Sequence, residues 1–144
     1  MSFENLDLID ELLKAVNELG FVEPTPIQTD AIPEIIGGDR DLVGLAQTGT
    51  GKTAAFGLPM IQLIDFDSAY VQGVVICPTR ELCLQISDDI KKLCKYVKGA
   101  KVAAVYGGAS IENQRNQIKK GAQIIVATPG RLLDLINRKI AKLS

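Results

Sequence analysis

Leu6, Ile9, Leu12, Leu13, Val16 and Leu19 recur at helical spacing, which predicts an amphipathic helix stopped by Gly20. Pro26 suits the first position of a second helix, which runs to Gly37-Gly38. Beyond it, short apolar runs alternate with helical stretches. The pattern predicts a strand around Leu42 to Ala46, a helix from about Lys52 to Ile64 and a buried strand over Val71 to Cys77. Leu82, Ile86, Ile90, Leu93 and Val97 mark one side of a helix from Glu81 to Tyr96. A strand over Lys101 to Tyr106 precedes Gly107-Gly108, and a helix follows from about Ser110 to Lys119. The last strand, Gln123 to Thr128, leads through Pro129-Gly130 into a helix over Arg131 to Ile140. Near-continuous apolar strands separated by helices predict an α/β fold, a parallel sheet with helices on both faces. Repeats and low-complexity segments are absent.

The junction between the first strand and its helix carries the strongest chemistry. Ala46-Gln47-Thr48-Gly49-Thr50-Gly51-Lys52-Thr53 has the composition of a phosphate-binding loop, with Ala46 where the strict pattern has Gly. A Gly-rich turn feeding a helix N-terminus aims backbone N–H groups and the helix dipole at an anion. Lys52 adds a charge that reaches β/γ-phosphates, and the Thr53 hydroxyl is placed to ligate Mg²⁺. Gly49 and Gly51 permit backbone conformations and close approach that a Cβ would block.

Ligands of parallel sheets bind beyond the C-terminal ends of the strands. There the chain places Pro78-Thr79-Arg80-Glu81-Leu82, Gly107-Gly108 and Thr128-Pro129-Gly130-Arg131, which the topology predicts on one rim with the phosphate loop. Arg80 and Arg131, with Thr79, Thr128 and the glycine N–H groups, suit a phosphodiester backbone read without base contacts. Taken singly, each segment reads better as a helix cap or turn; all three on the nucleotide-bearing rim favour the backbone reading.

Composition narrows the field. A chain of 144 residues suits one domain with a real core. Its net charge of −1 supplies no global field for nucleic acid, so such binding must come from a local basic patch. With no histidine, His-dependent acid/base chemistry and most zinc sites are excluded within these residues. Cys77, Cys83 and Cys94 lack the paired spacing of a metal or redox site and read as reduced thiols used for packing. No apolar run approaches membrane-spanning length, and Met1-Ser2-Phe3-Glu4 lacks a signal peptide's basic start, so a soluble intracellular protein is expected.

Together Phe3, Gly20-Phe21-Val22-Glu23-Pro24-Thr25-Pro26-Ile27-Gln28, Ala46 to Thr53, Pro78 to Leu82, Gly107-Gly108 and Thr128 to Arg131 carry a resemblance spanning nearly the whole chain. In order and spacing the chain resembles the first half of a DEAD-box ATP-dependent RNA helicase. The resemblance implies a RecA-like P-loop domain, incomplete here, with residues 1–29 as the Q-motif region and 30–144 as the P-loop core. It implies that Gln28 hydrogen-bonds the adenine edge of ATP and that Phe21 packs near the base, and an amide does offer the donor and acceptor that adenine requires. It implies Lys52 and Thr53 in catalysis, Mg²⁺ as the companion ion, and sequence-independent RNA contacts from Pro78, Thr79, Arg80, Gly107, Gly108, Thr128, Pro129, Gly130 and Arg131. Gln114 matches a weaker family position on that RNA rim, although a surface glutamine reads nearly as well.

The family's Asp-Glu-Ala-Asp strand, its Ser-Ala-Thr motif and its second RecA-like domain have no counterpart among the 144 residues. The resemblance implies that those parts hold Mg²⁺ through a carboxylate, orient water and supply arginine fingers. Asp65, Asp67, Asp88 and Asp89 do not follow an apolar strand and read as solvated. The expectation is therefore a cytoplasmic helicase fragment that binds ATP and RNA without hydrolysis, and that rearranges its strands or associates with another copy. A non-catalytic adenine-nucleotide and RNA-binding module is the alternative. A DNA helicase or other P-loop ATPase is a third reading, against which the Gln28 and Thr128 to Arg131 segments argue.

Overall fold

The computed structural model describes residues 2–47, 49 and 51–143; Thr48 and Thr50, both expected to hold phosphate, lie outside the described residues. The chain forms two units, Met1–Leu63 with Asp89–Val97 and Ile64–Asp88 with Lys98–Ser144.

The first unit is helical. A 3-10 turn over Phe3–Leu6 precedes α1 (Asp10–Glu18), α2 (Pro26–Gly37) and α3 (Lys52–Leu63), and the C-terminal end of α4 (Arg80–Leu93) belongs to the same unit. The single helix expected from Leu6 to Leu19 is interrupted because Asp7 turns left-handed, with φ of 59°. Gln62 clamps that break: its Oε1 accepts from Ile9 N–H at 2.9 Å and its Nε2 donates to the Asp7 carbonyl at 2.6 Å. Helix α1 buries Leu12, Ala15 and Val16. Helix α2 starts where expected, with Pro26 in its first turn, where its missing N–H costs nothing. Its Ala31 and Ile32 are buried, as are Ala54, Ala55, Leu58 and Ile61 of the neighbouring α3. At the end of α1, Glu18 accepts hydrogen bonds from Lys95 and Tyr96, whose donation holds its carboxyl below the usual carboxylate range.

The strand expected over Leu42 to Ala46 is not formed. Residues 41–47 are irregular, with Val43 and Leu45 86% and 91% exposed. A strand exists only through its ladder, and none of the described strands pairs with this run.

The second unit contains β1 (Gly73–Ile76), the start of α4, β2 (Val102–Val105), α5 (Ile111–Lys119), β3 (Ile124–Ala127) and α6 (Pro129–Asn137). The sheet order is β1-β3-β2, all parallel, with Gly73 and Val102 both opposite Ile124. The parallel α/β arrangement read from the apolar runs is thus present, each strand trimmed at its ends. The central strand β3 is apolar and fully buried, as expected of a strand covered on both faces. Ala103, Val105, Ile125 and Ala127 pack with Ile118, Leu132 and Leu135. The far edge of β1 has no partner among the described residues, and Ile76 there is 62% exposed.

Gln123, buried just before β3, ties this unit together. Its Oε1 accepts from Lys101 N–H at 2.9 Å, and its Nε2 faces the carbonyls of Gly99 at 3.1 Å and of Phe66 and Ser68 at 3.3 Å. No described helix is long and apolar enough to cross a membrane.

Candidate functional site

In the first unit, Lys52 and Thr53 open α3, so the helix N-terminus lies at the end of the Gly-rich loop. Gly49 and Gly51 both have positive φ, +82° and +84°, a conformation that L side chains rarely adopt. Lys52 is exposed, and Ala46 and Gln47, the first residues of the loop, end the irregular segment. Gln28 is 3% exposed, with both ends of its amide engaged. Its Oε1 accepts from Thr25 N–H at 3.0 Å, which caps α2, and its Nε2 donates to the Gly51 carbonyl at 3.2 Å. Thr25 Oγ1 is buried and has no hydrogen-bond partner among the described residues.

These residues fit a nucleotide phosphate. The backbone at Gly51 is tight enough that a Cβ would press on the Gln28 amide and lie 3.2 Å from Thr25 Oγ1. The lysine and helix N-terminus supply positive charge on the same loop. Among the described residues no group of three or more His, Cys, Asp or Glu side chains gathers into a metal cage. A Mg²⁺ ion in this unit would therefore rest on Thr53 and on the phosphates themselves.

Phe21 is brought to Phe3. Their rings stack at 6.3 Å with 27° between planes. Both line a groove of about 670 Å³ with Lys14, Asn17 and Tyr96, whereas Lys52 borders a separate cavity of about 480 Å³ with Ile27, Leu42 and Phe56.

In the second unit the parallel strands bring three expected segments to one edge of the sheet. After β1, the Thr79 hydroxyl caps α4 by accepting from Leu82 N–H at 3.2 Å, and Arg80 opens the helix. Exposed Pro78, Gly107 and Gly108 lie in the turns that follow β1 and β2. After β3, Thr128 is the N-cap of α6 with its hydroxyl making no capping bond, and Pro129 and Gly130 form the exposed first turn. The Arg80 guanidinium lies 5.0 Å over the Tyr106 ring, and a Cβ on Gly108 would be 3.5 Å from Arg80 Nη1. Arg131 Nη1 donates to the Ala109 carbonyl at 3.2 Å and to Gln114 Oε1 at 2.9 Å. Gln114, expected on the rim, lies beneath it at 3% exposure, its Nε2 donating to the Tyr106 carbonyl at 3.0 Å. Sequence reasoning missed Tyr106 and Gln123, since a lone tyrosine and a lone glutamine beside apolar runs give no motif.

Cys77, Cys83 and Cys94 are buried free thiols, in keeping with a packing role. Burial pushes Cys83 up to about 11 and Cys94 up to about 12, and it also raises Cys77.

Residues 25–144 match the DEAD/DEAH box helicase family. The chain is 53% identical over 141 residues to the ATP-dependent RNA helicase CshA of Listeria monocytogenes, covering 98% of this chain and 27% of the relative. It is 51% identical over 143 residues to CshA of Streptococcus pneumoniae, again 27% of that protein. Among solved structures, a DEAD box protein of Methanococcus jannaschii superposes with a TM-score of 0.93 at 41% identity, over 99% of this chain and 39% of the other. Dbp5 of S. cerevisiae, bound to RNA and ADP BeF3, superposes with a TM-score of 0.90 at 33% identity, over 99% of this chain and 36% of the other. The chain thus spans about a quarter of the length of the curated relatives it matches.

Proposed function

This chain belongs to the DEAD/DEAH box helicase family, and from that premise we propose that it binds ATP in its first unit and the RNA backbone in its second, as part of an ATP-dependent RNA helicase. Residues 1–29 form the adenine-recognising region and 30–144 the P-loop core of one RecA-like domain. Gln28 pairs with the adenine edge, Phe21 packs near the base, and residues 46–53 receive the phosphates. Lys52 neutralises phosphate charge, and Thr53 holds Mg²⁺, which when bound offsets the charge that develops on the phosphates. Arg80 and Arg131 grip RNA phosphates without reading sequence.

One observation carries the nucleotide reading: the Gln28 amide donates to the Gly51 carbonyl at 3.2 Å, which joins the adenine reader to the phosphate loop. The RNA reading is supported by two arginines on the edge where parallel sheets bind ligands. The parent enzyme couples ATP turnover to RNA remodelling in a cytoplasmic setting, with a second RecA-like domain as the other wall. For these 144 residues alone we expect binding without turnover, because none of the described strands ends in a carboxylate that would hold the ion. The open edge of β1 supports a further strand there, from the parent's sheet or from a second copy.

Fluorescent ATP and GTP analogues test the nucleotide assignment. ATP should bind better, and Gln28→Ala should narrow the gap by about 1–3 kcal/mol. Equal affinity in the unmutated chain would remove the adenine assignment. For RNA, Arg80→Ala and Arg131→Ala should each weaken binding to unrelated single strands alike.

A further inference from the structure

We infer that Tyr106 and Gln114 are positioning residues for phosphate binding, neutral groups that hold the Arg80 and Arg131 guanidiniums in place and leave their charge uncompensated. This role rests on the RNA reading above and deepens it by assigning what aims the two arginines.

Tyr106 serves both. Its ring lies under Arg80 at 5.0 Å, and its carbonyl anchors the Gln114 amide at 3.0 Å. The other end of that amide accepts from Arg131 Nη1 at 2.9 Å. Gln114 is buried and bonded directly to Arg131 Nη1, so its effect passes through that arginine. Among the described residues both bonds made by Arg131 use Nη1, to Gln114 and to the Ala109 carbonyl. That leaves the Nε and Nη2 donors, the edge that takes a phosphate in bidentate fashion. A guanidinium resting on an aromatic face likewise keeps its N–H donors pointing outward.

The other arginines are held differently. Arg40, Arg115 and Arg138 each pair with a carboxylate, at Glu34, Glu112 and Asp134. Among the described residues, Arg80 and Arg131 alone of the arginines form no such pair; a ring, an amide and a carbonyl hold them instead. A carboxylate partner would fix the side chain but cancel the charge on which counterion release depends. A neutral holder removes part of the ordering loss on binding and keeps the charge.

The test measures a fluorescein-labelled oligouridylate binding to the full chain over a salt series, with urea unfolding as the control for folding. Tyr106→Leu should weaken binding about two- to fivefold, the range of a cation–π contact at an exposed site. Tyr106→Phe, which keeps the ring, should restore what the leucine loses. Gln114→Glu keeps an acceptor for Arg131 but adds a negative charge. It should weaken binding by about tenfold, the loss of one charge-assisted contact. It should also flatten the log–log salt slope by about 0.7, one phosphate contact on a single strand. If the glutamate variant does not fold, the two tyrosine variants decide the matter between them. Wild-type binding by Tyr106→Leu, while Arg80→Ala and Arg131→Ala lose affinity, would overturn the positioning role and leave the RNA reading standing. Unchanged binding by both alanine variants would overturn the RNA reading and this inference with it.

Discussion

Replacing Gly51 by alanine strikes the phosphate loop in two separable ways, and Gly49 supplies the control. Both glycines have positive φ, +82° and +84°, so alanine at either position bears about 1–2 kcal/mol of left-handed backbone strain. At Gly49 no atom of the described residues lies within 4 Å of the added Cβ, and the strain is the whole effect. At Gly51 the Cβ also presses on the Gln28 amide, lying 3.1 Å from its Cδ. That amide cannot swing away without breaking its bonds to Thr25 N–H and to the Gly51 carbonyl, each contributing about 1 kcal/mol net. The total for Gly51→Ala is thus about 3–4 kcal/mol, roughly 2 more than for Gly49→Ala. A loop that relaxes in the absence of nucleotide relieves strain there, and the relieved part returns as lost affinity. The quantity to compare is therefore the sum of the change in unfolding free energy, from urea melts followed by far-UV circular dichroism, and the change in binding free energy for a fluorescent ATP analogue. Sums for the two variants that agree within about 0.5 kcal/mol, the limit to which independent effects usually add, would refute the coupling between Gln28 and the loop.

Three further outcomes are expected. Lys52→Ala should weaken nucleotide binding by more than about tenfold yet barely move the urea midpoint, because the side chain is exposed and its role is charge; a large loss of stability without nucleotide would make Lys52 structural. Gln123→Leu should cost about 2–4 kcal/mol, since it strands the Lys101 N–H and the carbonyls of Gly99, Phe66 and Ser68, and a change under about 0.5 kcal/mol would show that water replaces the amide. Folding raises the thiols of Cys83 to about 11 and Cys94 to about 12 from an ordinary 9.0, so their contribution is complete below pH 9.0 and is lost as pH rises toward those values. The urea midpoint should fall over that window, and less steeply for Cys94→Ala; an identical fall in both proteins would clear that thiol of the effect.

Some of this protein was legible in its sequence because the signals are local. Helix α2 begins at Pro26 and is closed by a left-handed Gly38, both readable in place. The three strands were found because each is a short apolar run, and the central one is apolar at every position as burial on both faces demands. The positions of Lys52 at the start of α3, and of Arg80 and Arg131 in the first turns of α4 and α6, were likewise readable from spacing. Equal apolarity misled at Leu42 to Ala46, because strand formation depends on a partner distant in sequence and none of the described strands supplies one. The family resemblance put Gln114 on the RNA rim, and the packing of α5 on β2 buries its side chain there. Tyr106 had no motif at all, and it joins Arg80 to Arg131 only because parallel pairing through β3 sets the ends of β1 and β2 on one edge. Residue type and local spacing decide which groups are available for chemistry; which of them touch is settled by strand order and register, and those depend on contacts between segments far apart in the chain.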